Sequence, residues 1–527
     1  MHDFSIGEVL KLKGDTRQGM ATSDNNRFLR LWHEVECKKL GLGYASAEEA
    51  KLSKKKWFPY NKGGEFRKWY GNIEYTINYE HDGKEVKEYA SSLYKTPTRT
   101  IKSMSEYFKH CISWSKISSG SISFRYYPQG FIFDVAGCCI FYKDEKTMFY
   151  DFGFVNSSIS KAILAVISPT LNYEAGHIAS IPMIRDNEYI EKVNLVTSEN
   201  IDISKSDWNS FETSWDFVKH PLLNGNTIKS AYENWEKECE DRFNILKANE
   251  EELNRIFIDI YGLNDELDPY VEDKDVTVRK AELERDVKSF ISYAVGCMFG
   301  RYSIDVDGLA YAGGEWDNSK YGSFIPDADN CIPIADEEYF EDDIVGRFVE
   351  FVKVVYGKET LEENLDFIAK ALGTKGNTSR EIIRNYFLTR FIKDHIKTYK
   401  KRPIYWLFDS GKQNGFKALV YMHRWNADTI GNMRVEYLHR TQRVYEKEME
   451  RMQEIIDNSR DNKEINVATK RKEKLQKQYK ETKDYDAKVG HLALSRIDID
   501  LDDGVKVNYN KVQTANDGTK HQILVKI

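Results

Sequence analysis

The side chains best suited to bind or react gather between residues 114 and 142, in WSKISSGSISFRYYPQGFIFDVAGCCIFY. Ser118, Ser119, Gly120 and Ser121 form a polar loop in which the glycine lets backbone approach a ligand closely. In the alternation that follows, Ile122, Phe124 and Tyr126 point one way while Ser123, Arg125 and Tyr127 point the other. Past a turn at residues 128–130, FIFDV reads as the second strand of the pair, packed on a core. An arginine and two tyrosines beside a Ser-Gly loop suit a polar, planar, anionic ligand, because guanidinium and hydroxyl groups bond phosphates and base edges. An ordinary hairpin with one solvated face has the same pattern.

Catalytic chemistry finds less support. The chain has no Gly-Lys phosphate loop, HExxH, G-x-S-x-G elbow or CxxC pair. His81, His110, His177, His395, His423 and His439 stand at no catalytic or metal-ligand spacing. Asp305, Asp307, Glu315 and Asp317 invite a calcium reading, but EF-hand spacing is absent and a polar loop explains them. Base methylation needs a dinucleotide-type glycine loop and an Asn-Pro-Pro-aromatic loop for an extruded adenine. AYAGGEWD is glycine-rich but lacks the strand–loop–helix context.

The elements that must position these groups divide by character. Residues 1–190 read as a mixed α/β module. In RQGMATSDNNRFLRLWHEV, Thr22, Ser23 or Asp24 caps a strand or short helix that leaves Arg27 and Arg30 free. KKKWFPYNKGGEFRKWYG interleaves Lys54, Lys55, Lys56, Arg67 and Lys68 with six aromatics. That pattern fits nucleic-acid binding, with cations on phosphate and rings stacked, and equally a loop anchored to the core by its rings. IEYTINYEHDG alternates as a strand into an Asp-Gly turn. Beyond residue 200, helical spacing dominates over 231–263, 280–299, 342–356 and 379–400, the last opening on a Thr378/Glu381 capping box. A hairpin follows at 405–425. Tyr445, Met449, Met452 and Ile456, answered by Leu475 and Tyr479, predict an antiparallel helical hairpin within 433–484. The tail at 497–513 alternates and turns at Asp503 and Gly504.

Length and composition set the bounds. At 527 residues, 41% hydrophobic and 31% charged, the chain is globular and long enough for several domains. No apolar run spans a bilayer and the start has no signal-peptide core, so no membrane role is expected. Seven cysteines without a CxxC pair fit a reduced, cytoplasmic protein. The net charge of −7 conceals an asymmetry: residues 1–128 carry 22 Lys and Arg against 15 Asp and Glu. A local basic excess matters more for phosphate binding than the overall sign.

The segments RQGMATSDNNRFLRLWHEV, WSKISSGSISFRYYPQGFIFDVAG, ISPTLNYEAGHIASIPMI, ADEEYFEDDIVGRFVEFVKVVYG, KRPIYWLFDSGKQNGFKALVYMHR and IDIDLDDGVKVNYNK together resemble the C-terminal half of the PglX family. These are the adenine-specific DNA methyltransferases of BREX phage-defence systems. The resemblance runs in order through nearly the whole chain. The first two segments are also similar to target-recognition regions of single-chain restriction-methylation enzymes. In that family an N-terminal Rossmann-type domain carries the S-adenosylmethionine-binding and NPPY motifs, and the half resembling this chain reads DNA and holds the complex together. The sequence departs from the family by lacking that catalytic half, as a split gene product, a truncated chain or a degenerate remnant would.

The expectation is therefore an α+β chain: a DNA target-recognition domain over 1–190, a helical connector over 191–300, a mixed domain over 301–432, a charged helical hairpin over 433–489 and a tail over 490–527. By the matching motifs, Arg17, Asn25, Arg27 and Arg30, and Ser118, Ser119, Ser121, Arg125 and Tyr126, are expected to contact DNA. Lys54, Lys55, Lys56, Arg67 and Lys68 are phosphate candidates on charge grounds. No cofactor is expected in this chain, S-adenosylmethionine belonging to the separate methyltransferase domain. Partners implied are double-stranded DNA, that N-terminal half, and other BREX proteins. The alternative is a non-catalytic scaffold that binds defence-system proteins through the helical region.

Overall fold

The computed structural model describes residues 7–118 and 120–527. They form an α+β fold in two compact units: 7–32, 38–217 and 234–281 make the first, and 33–37, 218–233 and 282–527 the second.

Eight strands build two four-stranded sheets of the first unit, beside a short antiparallel pair of Glu8–Val9 with Pro182–Met183: β1 (Gly14–Arg17), β2 (Leu29–Leu31), β3 (Trp57–Asn61), β4 (Tyr75–Asn78), β5 (Cys111–Ser115), β6 (Phe124–Tyr127), β7 (Ile132–Phe133) and β8 (Gly137–Tyr142). One sheet runs β1-β8-β5-β6, antiparallel throughout; the other runs β2-β4-β3-β7, with β3 and β7 parallel. Both are short-stranded and buried on both faces, so strict alternation carries little information here. The expected pairing of the FRYY strand with FIFDV is overturned. β6 pairs with the preceding β5, in register Ser113 to Arg125, and FIFDV crosses to β3. The serine loop is thus itself the hairpin connection. The expected Asp-Gly hairpin turn is instead the entry to a helix over Glu80–Tyr94, where His81, Asp82 and Gly83 all take positive φ. Helices α1 (Glu145–Val155), α2 (Ser158–Ile167) and α3 (Ile190–Asn209) and residues 234–260 of α4 (Ile228–Ile260) cover the sheets. Phe154 stacks on Tyr261 and meets Phe257 edge-on, as aromatic quadrupoles prefer.

In the second unit, helices α5 (Leu283–Met298), α6 (Ile344–Tyr356), α7 (Leu361–Leu372), α8 (Ser379–Thr389) and α9 (Phe391–Thr398) pack around an antiparallel sheet of β9 (Ile332–Pro333), β11 (Lys417–Tyr421) and β10 (Tyr405–Asp409). Thr378 caps α8 by accepting from the Glu381 N–H at 3.2 Å. The single helix expected over 379–400 breaks at Arg390, whose backbone is non-helical. The helical hairpin forms as read: α10 (His439–Asn458) and α11 (Asn462–Ser495) pack through Tyr445, Met452, Ala468 and Leu475. The tail corrects the expectation, since Asp503 and Gly504 open a helix over Gly504–Lys511.

Candidate nucleic-acid interface

An open recess of about 270 Å³ lies between the ends of β3 and β5 and the β7–β8 link. It is lined by Lys62, Gly64, Ser115, Lys116, Ile117, Val135 and Ala136. Local sequence explains each placement. Lys62 follows the last residue of β3, and Gly63 turns the chain with a φ of +72° that other residues resist. Ser115 ends β5. Its Oγ accepts from the Gly64 N–H at 3.0 Å and donates to the Gly64 carbonyl at 2.8 Å, which ties the glycine turn to the sheet. Ser118 continues into a second loop: its N–H donates to the Leu171 carbonyl, and the Tyr173 N–H donates to the Lys116 carbonyl at 2.7 Å.

Two expected DNA-reading segments, far apart in sequence, come near this recess in different ways: Lys116 and Ile117 before the serine loop line it, whereas the RQGMA segment lies behind it. The Met20 N–H donates to the Phe133 carbonyl and the Val135 N–H to the Met20 carbonyl, so the RQGMA segment backs the β7–β8 link whose Val135 lines the recess. Gly19 is required there, because a Cβ would fall 1.9 Å from the Phe133 oxygen.

The electrostatics are balanced. Lys62 bonds Asp134 at 2.9 Å, and Asp134 also accepts the Tyr60 hydroxyl at 2.7 Å. Burial and that carboxylate push the Tyr60 phenol well up. Lys116 bonds Glu174 at 3.0 Å, which holds the Glu174 carboxyl below its usual range. Such a partly exposed pair is worth at most about 1 kcal/mol, so Lys116 can leave Glu174 at little cost.

The fourteen expected contact residues separate clearly. Ser118 and Ser121 flank the exposed loop tip, the Ser118 hydroxyl donating to the Ser121 carbonyl at 3.0 Å; Ser119 lies outside the described residues. Tyr126 is half-buried against Phe149. Arg125, expected on a solvated face, is fully buried at 0% exposure, because both faces of β6 are covered. Its guanidinium donates to the Arg67 carbonyl, Ser123 Oγ and Ser115 Oγ at 3.0–3.2 Å. Arg67 and Lys68 are also interior: Arg67 bonds Asp207 at 2.6 Å and lies over Trp208, and Lys68 pairs with Glu250. These three cations are spent inside the fold, so they hold structure and do not meet phosphate. The rings beside them, Trp57, Tyr60, Trp69 and Tyr70, are core, as the anchoring alternative held.

The remaining group is exposed or half-buried. Arg17 pairs with Asp15 at 2.7 Å. Asn25 is exposed at the start of a helical turn capped by Asp24 and accepts the Thr22 hydroxyl. Arg27 and Arg30 were expected free, yet Arg27 pairs with Glu85 and packs on Tyr89, while Arg30 donates to the Asn26 and Leu29 carbonyls over Trp57. Lys54 is exposed with a φ of +57°, Lys55 donates to the Lys38 carbonyl, and Lys56 lies over Trp57. Lys56 precedes β3 and Lys62 follows it, so these cations sit about 20 Å from the recess. Sequence reasoning passed over Lys62, Ser115 and Lys116. The available signal was KGG, a lysine beside two glycines at a strand end.

A methyl-donor site does not fit these residues. Gly313 and Gly314 take φ near +85° in a connection without the strand-to-helix turn that cradles such a donor, and among the described residues the parallel pairing of β3 with β7 is only two residues long. Among the described residues no three His, Cys, Asp or Glu are placed to hold a metal, and no helix is long and apolar enough to cross a membrane.

No family model matches the chain. It is 46% identical over 511 residues to the adenine-specific methyltransferase PglX of Lacticaseibacillus casei (strain Zhang), covering 94% of this chain and 42% of that protein. It is 38% identical over 548 aligned positions to the adenine-specific methyltransferase BrxX of Escherichia coli O9:H4 (strain HS), covering 96% of this chain and 43% of that protein. The chain therefore spans less than half the length of the curated relatives it matches, and the resemblance read from its motifs is borne out.

Proposed function

We propose that this relative of PglX and BrxX is the DNA target-recognition portion of a site-specific adenine-N6 methyltransferase in BREX-type phage defence. The methyl donor and the extruded adenine belong to a separate methyltransferase portion. The observation that carries the reading is the recess: the segment leading into the serine loop lines one concave, lysine-flanked surface through Lys116 and Ile117, and the RQGMA segment is hydrogen-bonded to Val135 in its wall. Ser118 and Ser121 hydroxyls at the loop tip are the groups sized for base edges or sugar, and Lys62 and Lys116 are placed for phosphates. Duplex DNA fits the balanced electrostatics, since Lys116 can trade the exposed Glu174 for a phosphate while Lys62 keeps its buried partner Asp134.

Fluorescence anisotropy on duplex libraries tests the proposal. Expected is a preferred sequence. Replacing Lys62 and Lys116 with Gln should weaken all sequences alike and lower the salt slope by roughly 0.9 per lost contact. Replacing Ser118 and Ser121 with Ala should relax the preference at one or two base pairs. Binding without preference, or none at low salt, overturns the reading.

A further inference from the structure

We propose that the outward face of α11 is a second DNA-binding surface, one that grips duplex backbone regardless of sequence. The hairpin fixes which face is outward. Ala468, Leu475, Thr482 and Val489 recur every seven residues on the buried side, with Gln478, Tyr485 and Leu492 beside them. That register puts Lys463, Lys470 and Lys477 on one exposed stripe, with Lys480 next to it. Of the eighteen residues from 463 to 480, seven are Lys or Arg and two are Glu, in a chain whose net charge is −7.

Charge pairing on this helix follows the side a residue faces. Toward the rest of the unit, Arg471 meets Asp336 at 3.2 Å and Glu337 at 2.8 Å, Lys474 bonds Asp336, and Lys472 bonds Gln453. Away from it, Lys463, Lys470, Lys477 and Lys480 make no ion pair among the described residues. Glu464 is turned to the Ser459 hydroxyl at 2.6 Å. Glu473 and Asp484 are the acidic neighbours left on the stripe, and neither forms a bridge to these lysines. Four ammonium groups without an ion-pair partner among the described residues therefore stand along roughly 26 Å of helix, with successive stripe positions about 10.5 Å apart.

The chemistry of the stripe selects its partner. Protein interfaces centre on apolar and aromatic groups and are depleted in lysine. Here Val467 is the lone exposed apolar residue between 463 and 480, among Asn466, Thr469 and Gln476. Single-stranded nucleic acid is held by aromatic platforms, and the exposed side of α11 presents none over this stretch. A duplex offers one charge per about 1.7 Å of axis along a stiff rod, matching a stiff row of point charges.

The test uses the full chain and a random-sequence 30-base-pair duplex, followed by anisotropy across a salt series. The variant K463Q/K470Q/K477Q/K480Q keeps helix propensity, and circular dichroism checks its fold. Expected is a loss of more than about tenfold in affinity at low salt, with the slope against log salt falling by up to roughly 0.9 for each of the four contacts. Glu473→Lys should tighten binding. Any preference between sequences should survive the quadruple change, which separates this surface from the recess. An unchanged slope overturns the proposal, as does polyglutamate binding the stripe as tightly as the duplex does.

Discussion

Arg125 Nη2 donates to Ser115 Oγ at 3.0 Å, from a side chain with no exposure to a hydroxyl that lines the recess. The sequence had marked Arg125 as a reader of bases. Its position makes it a support beneath the recess, and burial presses its guanidinium below its ordinary value.

Arg125→Ala should therefore act on stability and on all DNA sequences together. It removes three charge-assisted hydrogen bonds and leaves Ser115, Ser123 and the Arg67 carbonyl short of a donor. A loss of about 3 kcal/mol or more is expected in urea unfolding. Unchanged stability with relaxed preference at one base pair would return Arg125 to a base-reading role.

The buried Lys68–Glu250 pair, with Trp69 Nε1 also donating to Glu250 at 2.7 Å, gives a second stability test. Burial pulls the Lys68 ammonium down, with Glu250 acting against it. Lys68→Met strands a carboxylate and should cost about 3–5 kcal/mol. The double change Lys68→Met with Glu250→Gln should recover part of that in chemical denaturation, whereas additive losses would show the two side chains act independently.

Acid should destabilise the second unit. His220, His395 and His423 are buried, and desolvation carries each down to about 3. The unfolded chain takes up a proton near pH 6.5 while the folded form stays neutral until about 3. Their stabilising effect is thus complete above pH 6.5 and drains as pH falls toward 3, by up to about 1.4 kcal/mol per pH unit per histidine. Urea midpoints at pH 7.5, 6 and 5 should fall accordingly. His395 Nε2 accepts from the Ile404 and Tyr405 N–H groups, a role a Gln carbonyl can fill, so His395→Gln should flatten the decline. A midpoint constant between pH 7.5 and 5 refutes the assignment.

The purified chain is expected neither to bind S-adenosylmethionine in calorimetry nor to methylate DNA by itself. Adding an NPPY-bearing methyltransferase portion of a relative should produce methylation at one defined site. Turnover by the chain alone would point to an active site that its glycine connections do not suggest.

What the sequence determined by itself was whatever local periodicity and long motifs carry. Helical spacing marked α4, α5, α6 and the α10–α11 hairpin, because a buried stripe repeating every three or four residues has few other realisations. The ordered motifs gave the family resemblance. Tertiary structure alone decided which polar residues are available. Arg125 and Tyr127 alternate with Phe124 and Tyr126 along β6, yet covering elements bury both faces, and alternation cannot report a second cover. Arg67 and Lys68 resemble phosphate ligands until Asp207 and Glu250, 140 and 182 residues further along, arrive to neutralise them. Lys62 and Lys116 become neighbours only because β3 and β5 end at the same recess, a coincidence of strand ends that no spacing along the chain encodes.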